Sequence, residues 1–140
     1  MNQVERDAAK PRRALCYVSG PMSAATALQR EKFRLAGAVA AAELWERDVL
    51  HFCPMTAMPV LGASDLGYED CMAHDVEMLR RSDFVLILPG WDSSSGALRE
   101  KALAEAWDMP IVYDFDAAAD MARSIEKELD PRVTREGVFH

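Results

Sequence analysis

Two acids far apart in the chain, Asp75 and Glu100, carry the most chemical interest, because each lies near small polar groups that a fold can gather around it. Glu100 follows Trp91-Asp92-Ser93-Ser94-Ser95-Gly96, a serine-rich turn placed directly after an apolar run and a Pro-Gly break. Asp75 lies within Ala73-His74-Asp75-Val76-Glu77, and Tyr17 precedes Ser19-Gly20-Pro21-Met22. A pair of carboxylates suits a reaction whose transition state is cationic. When an N-glycosidic bond breaks, one carboxylate can stabilise or attack the sugar carbon. The second can protonate the departing base or activate water.

Each residue also has a purely structural reading. Glu100 begins a Glu-Lys pair on what reads as an exposed helix face, where acids are common for dipole reasons alone. Asp75 could be solvated in mid-helix. Ser94 or Ser95, standing before Gly96, reads as a helix N-cap worth ~1 kcal/mol. Tyr17 fits a core residue with a satisfied hydroxyl, Asp92 a turn residue, and Arg99 and Lys101 a solvated face.

The elements that must position these groups alternate. Residues 14–19 form a short apolar strand ended by Gly20-Pro21. Residues 23–47 read as a helix, with Leu28, Phe33, Leu35, Val39, Leu44 and Trp45 among charges and alanines. Residues 49–53 make a second strand, and 54–67 a long loop with two prolines and two glycines, of the kind that is often functional. A second helix covers 68–81, with Met72, Val76 and Leu79 as its apolar stripe. The continuous apolar run at 84–88 marks a strand buried on both faces. A helix at 96–107, a strand at 110–113 and a helix at 117–129 complete the pattern, and the tail could add an edge strand. This alternation predicts an α/β fold: a flavodoxin- or Rossmann-like, doubly wound parallel sheet of four to five strands in three α/β/α layers. The carboxyl ends of all its strands open on one edge, where such sheets bind ligands. The domain reading is a flexible leader over 1–13, one domain over 14–130 and a tail over 131–140.

Composition narrows the function. The 140 residues are 50% hydrophobic and 28% charged, as in ordinary soluble globules. A net charge of -7 opposes binding to nucleic acid polymers, while leaving room for one mononucleotide. Cys16, Cys53 and Cys71 make no disulfide framework or zinc pattern, and His51, His74 and His140 lack metal-ligand spacing. No secretory signal or membrane span is expected, so the sequence reads as a cytoplasmic protein without metal or cofactor. Trp45, Trp91 and Trp107, with Met55 and Met58, exceed what a small core must hide. Some are expected at a subunit contact or base pocket, with ordinary core burial the alternative for Trp45 and Trp107.

Taken jointly, three segments resemble the nucleoside 2-deoxyribosyltransferase superfamily. They are Tyr17-Val-Ser-Gly-Pro-Met22, Cys71-Met-x-x-Asp75-x-x-x-Leu79-x-x-Ser-Asp83, and Leu88-Pro-Gly-Trp-Asp-x-Ser-x-Gly-Ala97-x-x-Glu100. The nearest branch is a group of small bacterial and phage proteins with Gly-Pro-Met and Pro-Gly-Trp signatures. The resemblance implies that Glu100 is nucleophile or oxocarbenium stabiliser, that Tyr17 orients it, and that Asp75 contacts sugar or base and moves protons. The residues expected to contact substrate at the strand ends are Ser19, Gly20, Pro21, Met22, Trp91, Asp92, Ser94, Ser95 and Gly96; the resemblance adds a 5′-phosphate near Ser94 and a homodimer or larger assembly. The chain departs from the branch at Cys53-Pro54, where relatives carry Asn-Pro, and at Asp108, where a glycine usually precedes the last strand's proline. It also lacks the Gly and Asn often found after Gly-Pro-Met. The expected activity is hydrolysis of the N-glycosidic bond of a (deoxy)nucleoside 5′-monophosphate. Base exchange on free deoxynucleosides, a catalytically silent nucleotide-binding module, and cleavage of NAD or a nucleotide sugar are the alternatives.

Overall fold

The computed structural model describes residues 1–22, 26–56 and 67–130. Four strands, β1 (Leu15–Ser19), β2 (Leu50–Phe52), β3 (Phe84–Ile87) and β4 (Ile111–Val112), form one parallel sheet in the order β2-β1-β3-β4. The helices are α1 (Gln3–Ala8), α2 (Ala27–Glu46), α3 (Tyr68–Arg80), α4 (Ser95–Ala106) and α5 (Phe115–Leu129). The result is the expected three-layer α/β fold.

Strand alternation sorts the core into two halves. Cys16 and Val18 of β1, with Phe84 and Leu86 of β3, face α2 and α5, where Ala40, Leu44, Ala118 and Ala122 meet them. Tyr17, Val85 and Ile87 face the other way, onto Leu79 of α3 and Ala104 of α4. Chain direction reverses about β1. The chain leaves β1 for β2 on one side and returns to β3 on the other, so the β1 and β3 ends form a topological switch point. Among the described residues, no helix is long and apolar enough to cross a membrane.

Side-chain chemistry sets the helix ends. Thr26, Ser94 and Asp114 cap α2, α4 and α5 by accepting the backbone N–H of Gln29, Ala97 and Ala117. α2 and α4 both end in a left-handed residue, Asp48 at φ 55° and Asp108 at φ 54°. In each the next N–H reaches back to the last turn, Val49 to the Leu44 carbonyl and Met109 to that of Ala104, both at 2.9 Å. Asp108 therefore occupies a position that glycine takes more easily.

Within residues 1–13, α1 forms with Asn2 and Glu5 in a reciprocal capping box, although it buries no residue. On α2 the small residues, more than the large apolar ones, make the inner face. Gly37, Ala40 and Leu44 are buried, whereas Leu28, Leu35 and Val39 are more than half exposed. Trp45, for which core burial was one reading, is 79% exposed. Close approach is the reason for the small inner residues, since a Cβ on Gly37 would lie 2.6 Å from that of Met55. Finally, β4 is only two residues long. The expectations for most of the long loop, Met58 included, and for the tail's edge strand lie outside the described residues.

Replacing Asp108, which is exposed, by glycine removes the left-handed strain without disturbing a contact. Asp108→Gly should stabilise the fold by about 0.5–1 kcal/mol in urea unfolding.

Candidate active site

The period-2 alternation of β1 puts Tyr17 and Ser19 on the same face, at the carboxyl half of the strand. Register with β3 pairs them with Val85 and Ile87. On α4, Ala97, Glu100 and Ala104 follow at helical spacing and are the buried residues. The two alanines let the helix lie close against the sheet, so Glu100 reaches β1. Its Oε2 accepts from the Tyr17 hydroxyl and its Oε1 accepts from Ser19 Oγ at 2.9 Å. Tyr17 and Ser19 are fully buried, and Glu100 keeps only 4% of its surface.

α3 supplies the second acid by the same logic. Among its described side chains Met72, Asp75 and Leu79 are the buried ones, three and four residues apart. Asp75 retains 4% exposure, and His74 Nδ1 stands 3.3 Å from its Oδ1. The solvated readings of Asp75 and Glu100 therefore do not hold. Nor is Glu100 placed for the helix dipole, since it lies past the first turn and faces the sheet.

Electrostatics follow from this burial. Desolvation lifts the Glu100 carboxyl to about 7; the hydroxyls of Tyr17 and Ser19 pull it back, and the charge of Asp75 pushes it further up. Burial also raises Asp75, with His74 opposing. The Tyr17 phenol is driven strongly upward by burial, then by Glu100 and Asp75, so it remains a proton donor. Every buried side-chain nitrogen and oxygen among the described residues has a partner. The result is two electrostatically coupled acids, one of them held by two hydroxyl donors and half ionised near neutrality. Such a group can change between anion and acid at physiological pH.

The turns around the acids differ in kind. Gly20 is buried, and Pro21 and Met22 are half-buried after β1. Gly90, at φ 91°, makes the left-handed turn after β3 and rests against Pro21, whose Cγ lies 3.3 Å from where a Cβ would stand. Trp91–Ser93 form a single 3-10 turn. Trp91 is half-buried with Lys101 Nζ 5.3 Å from its ring centroid, whereas Asp92, Ser93 and Ser95 are exposed. Ser94 spends its hydroxyl on the Ala97 N–H at 3.3 Å, as its structural reading held, and Gly96 is half-buried.

Sequence reasoning placed Ser19 among substrate contacts, but its hydroxyl is committed to Glu100. The signal was available in its two-residue spacing from Tyr17. Two further neighbours were missed. Phe52 pairs in register with Tyr17 and lies 6.0 Å from it, ring to ring, and His74 lies beside Asp75. No pattern marked Phe52, because which strand pairs with β1 is a tertiary fact. Among the described residues no group of three or more His, Cys, Asp or Glu side chains could hold a metal ion.

A glutamate whose folded value lies above its ordinary 4.5 destabilises the fold once it must ionise in place. That cost grows from about pH 4.5, reaches roughly 3 kcal/mol near pH 7 and then levels off. Glu100→Gln should therefore melt higher than the parent at pH 8, with the advantage shrinking towards pH 5. Paired thermal melts across that range measure it.

No curated protein matches the chain. Residues 14–113, which span both turns and both acids, match the domain of unknown function DUF4406, and the chain belongs to that family.

Proposed function

We propose that this protein hydrolyses the N-glycosidic bond of a (deoxy)nucleoside 5′-monophosphate, as its resemblance to the nucleoside 2-deoxyribosyltransferase superfamily implies. The supporting observation is the buried Glu100 carboxylate, gripped by Tyr17 and Ser19 and coupled to Asp75. In this reading the Glu100 anion attacks or stabilises the sugar carbon as the C–N bond breaks. The bonding electrons leave with the base, which takes a proton from water that the ionised Asp75 orients. A second water then adds its oxygen to the same carbon as the bond to Glu100, where one has formed, breaks back to the carboxylate; the proton of this water passes through Asp75 to solvent, leaving free base and sugar phosphate. Tyr17 and Ser19 hold the carboxylate on one line of attack and keep part of the carboxyl population ionised.

The exposed hydroxyls of Ser93 and Ser95, beside the N-terminus of α4, favour a phosphate. The exposed Asp92 opposes one and favours the second reading, base exchange between unphosphorylated deoxynucleosides, which would use the same Glu100 intermediate. A homo-oligomer acting on small molecules completes the proposal.

Base release from deoxynucleoside monophosphates and base exchange on deoxynucleosides, assayed side by side, separate the two readings. Glu100→Ala should lower turnover at least ~10³-fold while retaining ligand binding, and Asp75→Asn about 10²-fold. Because the anion of Glu100 is the working form, kcat/KM should rise with pH to a plateau above about 7. Ser19→Ala removes a bond to that anion and should move the rise to higher pH. Turnover that survives Glu100→Ala contradicts the mechanism. Ligand binding without any turnover in the parent protein makes this a silent nucleotide-binding module.

A further inference from the structure

We infer that the outward face of α2 is the contact surface for a second copy of this chain, packed antiparallel about a two-fold axis. The inference rests on the proposed homo-oligomer, whose contact surface it names, and is independent of the proposed activity. Leu28, Lys32, Leu35, Val39, Ala42 and Glu46 follow one another in alternating steps of four and three residues, the spacing of a helix–helix seam. All six are exposed, with Leu28 at 67%, Leu35 at 57% and Val39 at 51%. Scattered apolar residues on a surface need no explanation, but three aligned on one helical stripe form a patch. Beside them opens an apolar cleft of about 630 Å³, in which Leu35, Ala36 and Val39 face Pro89 and Phe115. The apolar surface therefore extends beyond a single helix.

Charge selects the occupant and its orientation. The N-terminal half of the stripe carries Lys32 and the C-terminal half carries Glu46. Neither has an ion-pair partner among the described residues, whereas Glu31 pairs with Arg34 and Glu43 with Arg47 on the same helix. A two-fold axis midway between Leu35 and Val39 maps the stripe onto itself. Leu35 then faces Val39 of the second copy, and Lys32 faces its Ala42. Glu46 of the second copy lies one turn further on, about 6 Å along the axis and within reach of the lysine. A parallel pairing would set lysine on lysine and glutamate on glutamate. The surface is thus complementary to itself, as an isologous contact requires.

Light scattering coupled to size exclusion, on the full chain at about 50 µM, tests this. The parent should run at twice the chain mass, and Val39→Asp should run as a monomer with an unchanged circular dichroism spectrum. Lys32→Glu and Glu46→Lys should each weaken the dimer about tenfold, because each puts like charges together. The double variant Lys32→Glu/Glu46→Lys should restore the parent affinity, a recovery that damage to the fold cannot mimic. A monomeric parent, a dimer that survives Val39→Asp, or a double variant no tighter than the singles overturns the inference.

Discussion

A carboxylate pressed against the middle of a parallel sheet is the constraint on which this molecule's chemistry depends. Glu100 gives up nearly all its water and receives two hydroxyl hydrogen bonds in return, from residues two apart on β1. That exchange does not fully compensate, which is why its carboxyl rises to about 7. A fold selected for stability alone would place an apolar side chain there, since burying an acid beside another acid costs free energy that the packing must offset. Retaining both acids is the pattern expected of a site in which protonation must change during use.

The sheet explains how such a cluster can be built from distant residues. β1 lies between β2 and β3, so groups at its carboxyl end meet those from the helices leading into and out of β3. Tyr17 and Ser19 come from the strand, Asp75 from α3 and Glu100 from α4. Small residues set the spacing: Ala97 and Ala104 draw α4 onto the sheet, and Gly90 turns the chain back against Pro21. On the opposite face, Gly37 does the same for α2, against Met55.

Most of the architecture was legible in the residues, because strand and helix periods differ sharply and Gly-Pro breaks separate them. Asp75 and Glu100 could be singled out by type and position relative to those breaks. Their burial could not, since an acid between polar neighbours reads the same whether it faces water or a sheet. α2 shows the limit from the other side. Its helical pattern does not say which face turns inward: the space under the helix admits glycine and alanine at Gly37 and Ala40, and Leu28, Leu35 and Val39 turn outward. The committed Ser19 hydroxyl was hidden for a related reason: the sequence shows which side chains share a face, not which partner each will choose.

The charge of Glu100 can be measured without knowing the substrate. Carbon-detected NMR of protein carrying ¹³C-labelled glutamate, with Glu100→Gln identifying the resonance, follows that one carboxyl through a pH titration. The midpoint should lie near 7 and fall when Asp75 is replaced by asparagine. A midpoint at the ordinary value of 4.5, unmoved by that replacement, would mean that burial and Asp75 do not set the charge of Glu100.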